Sequence, residues 1–212
     1  SLTPGIANVS GDLANGGPAV CAADAQISIT SVGLKQVPNP DFDPDVAGSQ
    51  AVVTRDYGFG ATQGRVTLGG VDLQIDSWSD STIFATVPGG LPSGQLLVQR
   101  GDNLAWSESG ITVHVGVCAA TYVPTDFGTI QDAIDAAAPG SLVIVEPGTY
   151  IESPILWKPL LLQGSGPEST RIVFTSNLSS GGSHLRFAGN VQQEADLPLV
   201  EDGVRGEHNV SI

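Results

Sequence analysis

The stretch DFDPDVAG, residues 41–48, places Asp41, Asp43 and Asp45 at alternate positions ahead of Gly48. Ca2+ is held by several carboxylate and carbonyl oxygens, and a loop of this spacing supplies three carboxylates. The Glu that closes a calcium loop at its twelfth position is missing, so a solvated acidic insertion is the competing reading. Arg100-Gly101-Asp102 falls where two strands should be joined. Exposed there, its two charges would meet a metal-dependent adhesion receptor, although Gly-Asp-Asn is also ordinary turn chemistry.

Other chemistry-bearing residues are scattered. His114, His184 and His208 show neither an HxH nor an HExxH spacing, which argues against a zinc site. Ser179, Ser180 and Ser183 lack the strand-turn-helix context of an activated nucleophile. Asp196, Glu201, Asp202, Arg205, Glu207 and His208 form a late cluster, for which a solvated loop is the plain reading. Glu146 and Glu152 flank a turn and are expected to close it. Asn8, Asn177 and Asn209 each begin an N-glycosylation pattern, relevant in a secretory eukaryote. Cys21 and Cys118 are too few and too far apart for a zinc site. They are read as a disulfide closing a long loop, worth roughly 3–5 kcal/mol if unstrained. Two buried free thiols are the alternative.

The composition bounds what such residues can serve. A chain of 212 residues has room for one large or two small domains. With only 14% charged residues, 27 Gly, 14 Pro and no Met, it reads as many short strands and turns. The net charge of −14 is spread along the chain, and no basic stripe is present to attract nucleic acid. No run of eighteen apolar residues predicts a membrane-spanning helix. The start SLTPGIANVS has no basic, apolar leader, as in a mature or excised segment. A disulfide requires an oxidising compartment, so the expected location is extracellular or at the cell surface.

The elements that must position these residues come in two styles. Residues 1–25 are Gly- and Ala-rich and read as an arm or the remnant of a preceding unit. From residue 26 to 116, ISITSV, QAVVT, RVTLGG, VDLQIDSW, TIFATVP, QLLVQR and GITVHV are short and rich in β-branched residues. Gly- and Pro-containing turns separate them, the pattern of an antiparallel sandwich. Within this block Gly58-Phe59-Gly60, Gly64, the pair Gly69-Gly70, Trp78-Ser79-Asp80, Ile83, Val87-Pro88 and Gly94 follow in order. That series resembles the IPT/TIG family of immunoglobulin-like domains, with PNPDFDPDVAGS (38–49) as an insertion longer than the family's usual link.

Residues 117–212 change style. Ile130, Ala133, Ile134 and Ala137 recur at i, i+3, i+4 and i+7, the apolar face of a helix. Thr129 and Asp132 resemble a capping box, and Pro139-Gly140 ends the helix. SLVIVEPGTY, SPILWKPLLLQGSG and TRIVFTS then follow at a spacing near twenty residues, as in a solenoid. Together with Pro147-Gly148-Thr149-Tyr150, Glu152, Lys158-Pro159, Leu162 and Gly164, the stretch resembles the opening of right-handed parallel β-helix proteins of the pectin-lyase-like superfamily. The resemblance implies that the helix caps the open end of the coil stack. At about twenty to twenty-five residues per coil the stretch holds only two to four coils, so the segment is expected to be the front part of a longer protein, or one piece of a cleaved one.

The expected fold class is therefore all-β: an immunoglobulin-like sandwich plus the first coils of a right-handed parallel β-helix with one capping helix. The expected function is a structural or adhesive segment of a large extracellular protein, with glycan binding as a candidate activity. Its partners would be the remainder of the parent protein or another chain. The alternative is the leading part of a polysaccharide lyase or esterase. In the latter enzymes, acids, bases and cation ligands converge from coils beyond the first two.

Overall fold

The computed structural model describes residues 3–173, which form two compact units: 3–118 together with 165–169, and 119–164 together with 170–173. The described residues are mostly strand, with one short helix. The first unit begins with β1 (Ile6–Ser10), β2 (Ala19–Val20), β3 (Ala25–Ser31), β4 (Leu34–Pro38) and β5 (Val52–Asp56). It continues with β6 (Arg65–Leu68), β7 (Val71–Asp72), β8 (Gln74–Trp78), β9 (Thr82–Val87), β10 (Gly94–Gln99) and β11 (Ile111–Val115).

One sheet runs β1-β3-β9-β8 and the other β2-β11-β10-β6-β7, antiparallel except for the parallel pair β2–β11. Alternation decides which face is buried. Ile27 and Ile29 of β3, Ile83, Ala85 and Val87 of β9, and Leu96 and Val98 of β10 all enter one shared core. Phe59, fully buried, adds a large side chain from a loop.

Three features depart from the sequence expectation. Residues 1–25 contribute β1 and β2, because Ile6, Val9, Ala19 and Val20 are apolar enough to be buried in spite of their small neighbours. A Cβ on Gly11 would lie 1.8 Å from the Ala19 carbonyl oxygen, so glycine is what lets the backbones approach there. VDLQIDSW, expected as one strand, is two: β7 pairs with β6 and β8 with β9, and the chain changes sheets at buried Leu73. The long insertion extends a separate hairpin, β4–β5, in register from Leu34↔Asp56 to Pro38↔Val52.

The second unit holds β12 (Thr121–Val123), α1 (Ile130–Ala136), β13 (Leu142–Val145), β14 (Gly148–Ile151), β15 (Leu161–Gly164) and β16 (Thr170–Val173). All its pairings are parallel, in two ladders, β12-β13-β15 and β14-β16. Successive rungs lie about twenty residues apart in sequence, as in Thr121↔Val143, Leu142↔Leu161 and Gly148↔Thr170. β13 is buried along its whole length, as expected of a parallel strand covered on both faces. Ile130, Ala133 and Ile134 of the helix, with the C-cap residue Ala137, join Val123, Val143, Val145 and Leu162 in the second core. Within SPILWKPLLLQGSG only Leu161–Gly164 is strand; Pro154 and Pro159, which lack an N–H to donate, lie in the non-strand lead. Among the described residues no helix is long and apolar enough to cross a membrane.

Candidate functional site

A polar constellation of the first unit forms around the loop Gly58-Phe59-Gly60, which follows β5. Phe59 must enter the core, so the backbone on either side is drawn inward and its polar groups need partners. Carboxylates from separate turns provide them. Asp56 Oδ1 accepts the Gly58 N–H at 2.8 Å, and Asp80 Oδ1 accepts the Gly60 N–H at 2.7 Å. The Asp80 carbonyl takes the Phe59 N–H at 2.8 Å. The Trp78 indole N–H donates to the Gly60 carbonyl at 2.8 Å, and its ring lies 6.1 Å from that of Phe59.

Arg100 completes the cluster. Its side chain is 4% exposed, and Nη1 donates to the Gly58 carbonyl at 2.8 Å. Nε and Nη2 donate to Asp102 Oδ1 and Oδ2 at 2.9 and 2.7 Å, a two-pronged pair. The hydrogen bonds from Arg100 hold the Asp102 carboxyl below its usual range. Bonding to Asp102 raises the guanidinium pKa against the effect of burial, and the charges of Asp102, Asp56 and Asp80 add to the rise. Gly60 has φ +78, and a Cβ there would stand 2.9 Å from Arg100 Nη2.

The Arg100-Gly101-Asp102 motif is thus folded onto itself. The arginine faces inward, the aspartate is bonded to it, and a Cβ on Gly101 would lie 2.2 Å from the Gln63 carbonyl oxygen. An adhesion receptor requires both charges outward, and this geometry does not present the guanidinium.

Asp41, Asp43 and Asp45 occupy the exposed end of the β4–β5 hairpin. Asp43 Oδ1 accepts the Asp45 N–H at 3.0 Å, and the Asp43 N–H donates to Ser49 Oγ at 2.9 Å. Among the described residues no three His, Cys, Asp or Glu side chains are gathered to hold a metal ion. The late cluster from Asp196 to His208 lies outside the described residues, as do His184 and Ser179, Ser180 and Ser183.

Cys21 and Cys118 are bonded, with Cα atoms 4.5 Å apart across a sequence separation of 97. The neighbouring turn is fixed by Asp12, whose carboxylate accepts the N–H groups of Cys21 at 2.7 Å and Ala22 at 2.8 Å. Partial desolvation works to raise the Asp12 pKa, yet those backbone donors leave it lowered.

The second unit holds a cluster that the sequence did not single out. Trp157, half-exposed, donates its indole N–H to Asp135 Oδ1 at 2.7 Å, and Gln131 Nε2 donates to the same oxygen at 2.9 Å. Gln131 Oε1 accepts the Ile155 N–H, and Lys158 Nζ lies 4.6 Å over the Trp157 ring while donating to the Asp135 carbonyl. The Trp157 bond, then those from Gln131 and the Lys158 charge, lower the Asp135 pKa. The only sequence signal was Gln131 and Asp135 at i and i+4, the polar side of the helix.

Glu146 and Glu152 do not close the turn between them that their spacing suggests; residues 148–151 are strand, and each carboxylate bonds a remote segment instead. Glu146 accepts the Thr125 N–H and hydroxyl, at 3.1 and 2.7 Å. Glu152 accepts the Ile130 N–H at 2.9 Å, and the Thr129 hydroxyl takes the Asp132 N–H at 3.1 Å. The first turn of the helix is therefore capped by a remote carboxylate as well as by its own N-cap residue.

These groups position backbone. Among the described residues none of these clusters sets a nucleophile beside a base, and the hydrogen bonds of Arg100, Asp102, Asp56, Asp80, Glu146 and Glu152 described above go to backbone, to Thr125 or to one another. Comparison with protein-family models, with curated proteins and with solved structures returns no match to this chain.

Proposed function

We propose that the chain is a structural or adhesive segment of an extracellular or cell-surface protein. In this reading the first unit is an immunoglobulin-like module of the IPT/TIG type. The second is the opening of a right-handed parallel β-helix, with α1 as its end cap. The observation that carries the functional reading is the engagement of Arg100, Asp56, Asp80 and Asp102 by their own loops. A guanidinium that is 4% exposed and bonded inside the fold through all three of its nitrogens is not offered to a substrate. The parallel ladders with rungs about twenty residues apart support the coil reading, and the apolar face of α1 over Val123, Val143 and Val145 supports the cap. The disulfide fits an oxidising compartment. The partners proposed are the remainder of a larger protein, or another chain, and extracellular glycan.

The test is incubation of the oxidised chain with polygalacturonate and Ca2+ while following absorbance of unsaturated product. No product is expected. Sustained product formation would overturn the structural reading and establish the polysaccharide-degrading alternative. Retardation of the chain in polygalacturonate gels, without turnover, would add glycan binding to the structural role.

A further inference from the structure

We infer that the Cys21–Cys118 disulfide is a mechanical shunt: tension along the chain passes through the bridge and bypasses β3 to β11. Cys21 follows β2 directly, and Cys118 is the last residue of the first unit before the chain passes into the second. Everything between them, 97 positions along the chain, is short-circuited by a covalent path whose Cα atoms are 4.5 Å apart. Pulling from upstream of residue 21 and downstream of residue 118 therefore loads the S–S bond.

The backbone pairing beside the bridge shows what the bridge adds. β2 and β11 run parallel, so opposite pulls on the start of β2 and the end of β11 slide one past the other. Their hydrogen bonds would then have to break together. But β2 is two residues long, and the bonds beside the bridge run from the His114 N–H to the Pro18 carbonyl and from the Gly116 N–H to the Val20 carbonyl. Such a short clamp yields easily. The disulfide takes over its task, and the Asp12 carboxylate holds the turn that delivers Cys21.

Both cysteines are exposed, so the bridge is open to thiol reagents in the folded state. A small dithiol passes two electrons and two protons to the pair, leaving two Cys thiols and a cyclic disulfide of the reagent. Reduction would let the segment between the two cysteines extend, which the bridge otherwise forbids. The use of such a shunt in a structural segment rests on the function proposed above, but the shunt itself does not.

Single-molecule extension of the full chain, held at both termini, tests it. An extended chain spans about 3.3–3.6 Å per residue, so opening the bridge adds about 32–35 nm of contour length. The oxidised chain is expected to lack that increment at every force below bond rupture. Dithiol-treated chain and the Cys21→Ser/Cys118→Ser variant are expected to gain it, at low force. Because the increment is total length, it is read even if the variant folds poorly. Equal total lengths for oxidised and reduced chain, with the bridge verified by mass after alkylation, would overturn the inference. So would a reduced unit that stays closed up to rupture. Polygalacturonate turnover would remove the structural role and leave this result untouched.

Discussion

Replacing Arg100 by Ala tests whether the cluster around Gly58-Phe59-Gly60 is a structural lock. The guanidinium makes two bonds to Asp102 and one to the Gly58 carbonyl, with the side chain 4% exposed. Removing one partner of a buried pair costs about 3–5 kcal/mol, mostly because the remaining group loses its counter-charge. Asp102 reaches solvent, so water restores part of its solvation and moves the expectation to the low end. The Gly58 carbonyl loses a partner as well, for which about 1–3 kcal/mol is typical. A net loss of about 3 kcal/mol follows, since these figures overlap and do not add. With a urea slope of about 1.5 kcal/mol/M, the unfolding midpoint falls by about 2 M. The assay is urea unfolding followed by tryptophan fluorescence in a Trp157→Phe background, which leaves Trp78 and Trp106, both in the first unit. Arg100→Lys keeps the charge but not the planar fork, and is expected to recover less than half of the loss. A midpoint within about 0.3 M of the parent, at unchanged slope, would refute the lock.

Acid should weaken the same cluster. Asp102 has a folded pKa below its unfolded value, so its contribution is complete above the unfolded carboxylate pKa of about 4 and is lost as pH falls through the folded pKa. Unfolding midpoints measured below pH 4 should therefore fall steeply in the parent and less steeply in Asp102→Asn. Gly60→Ala places a Cβ at positive φ, 2.9 Å from Arg100 Nη2, and is expected to cost about 1–3 kcal/mol in the same urea assay. An unchanged midpoint would mean that the arginine is not pinned there. In the second unit, Thr129→Ala removes the N-cap acceptor for about 1 kcal/mol. Glu152→Ala should speed hydrogen exchange at the Ile130 amide more than at Ala137, whose N–H donates to the Ala133 carbonyl. Equal acceleration at both amides would show that Glu152 acts on the whole unit instead of the first turn.

The helix was the most legible element, because its apolar residues, N-cap and terminating Pro-Gly are all local signals. β3, β9 and β11 were legible for the same reason: alternation along one strand reports its own buried face. β1 and β2 were not, since their apolar residues are sparse among Gly and Ala and are buried only because partner strands cover them. The switch at Leu73 was hidden because an unbroken alternation is equally consistent with one strand or with two in different sheets. The cysteine pair was legible as a candidate, and the structure brings the two together. The Trp157 cluster left almost no trace, as its members come from a helix and from a distant irregular stretch.

The arginine of the Arg-Gly-Asp sequence shows where reading a motif fails physically. Three letters specify two charges and a flexible hinge, and from them alone an exposed turn is as good a solution as a buried one. What decides is Phe59, some forty positions earlier, which draws its flanking backbone into the core beside two carboxylates. Asp56 and Asp80 accept the N–H groups of Gly58 and Gly60, and Asp102 brings a third carboxylate onto the same guanidinium. Arg100 reaches this group: its Nη1 donates to the Gly58 carbonyl at 2.8 Å and lies 4.0 Å from Asp56, so Coulomb attraction and the carbonyl both favour it there. The motif's charges are thus consumed by a requirement arising elsewhere in the chain. For this protein the test of a chemical motif is whether its donors remain unbonded after the surrounding backbone has been satisfied, and in Arg100 the fork and the inner nitrogen are already taken.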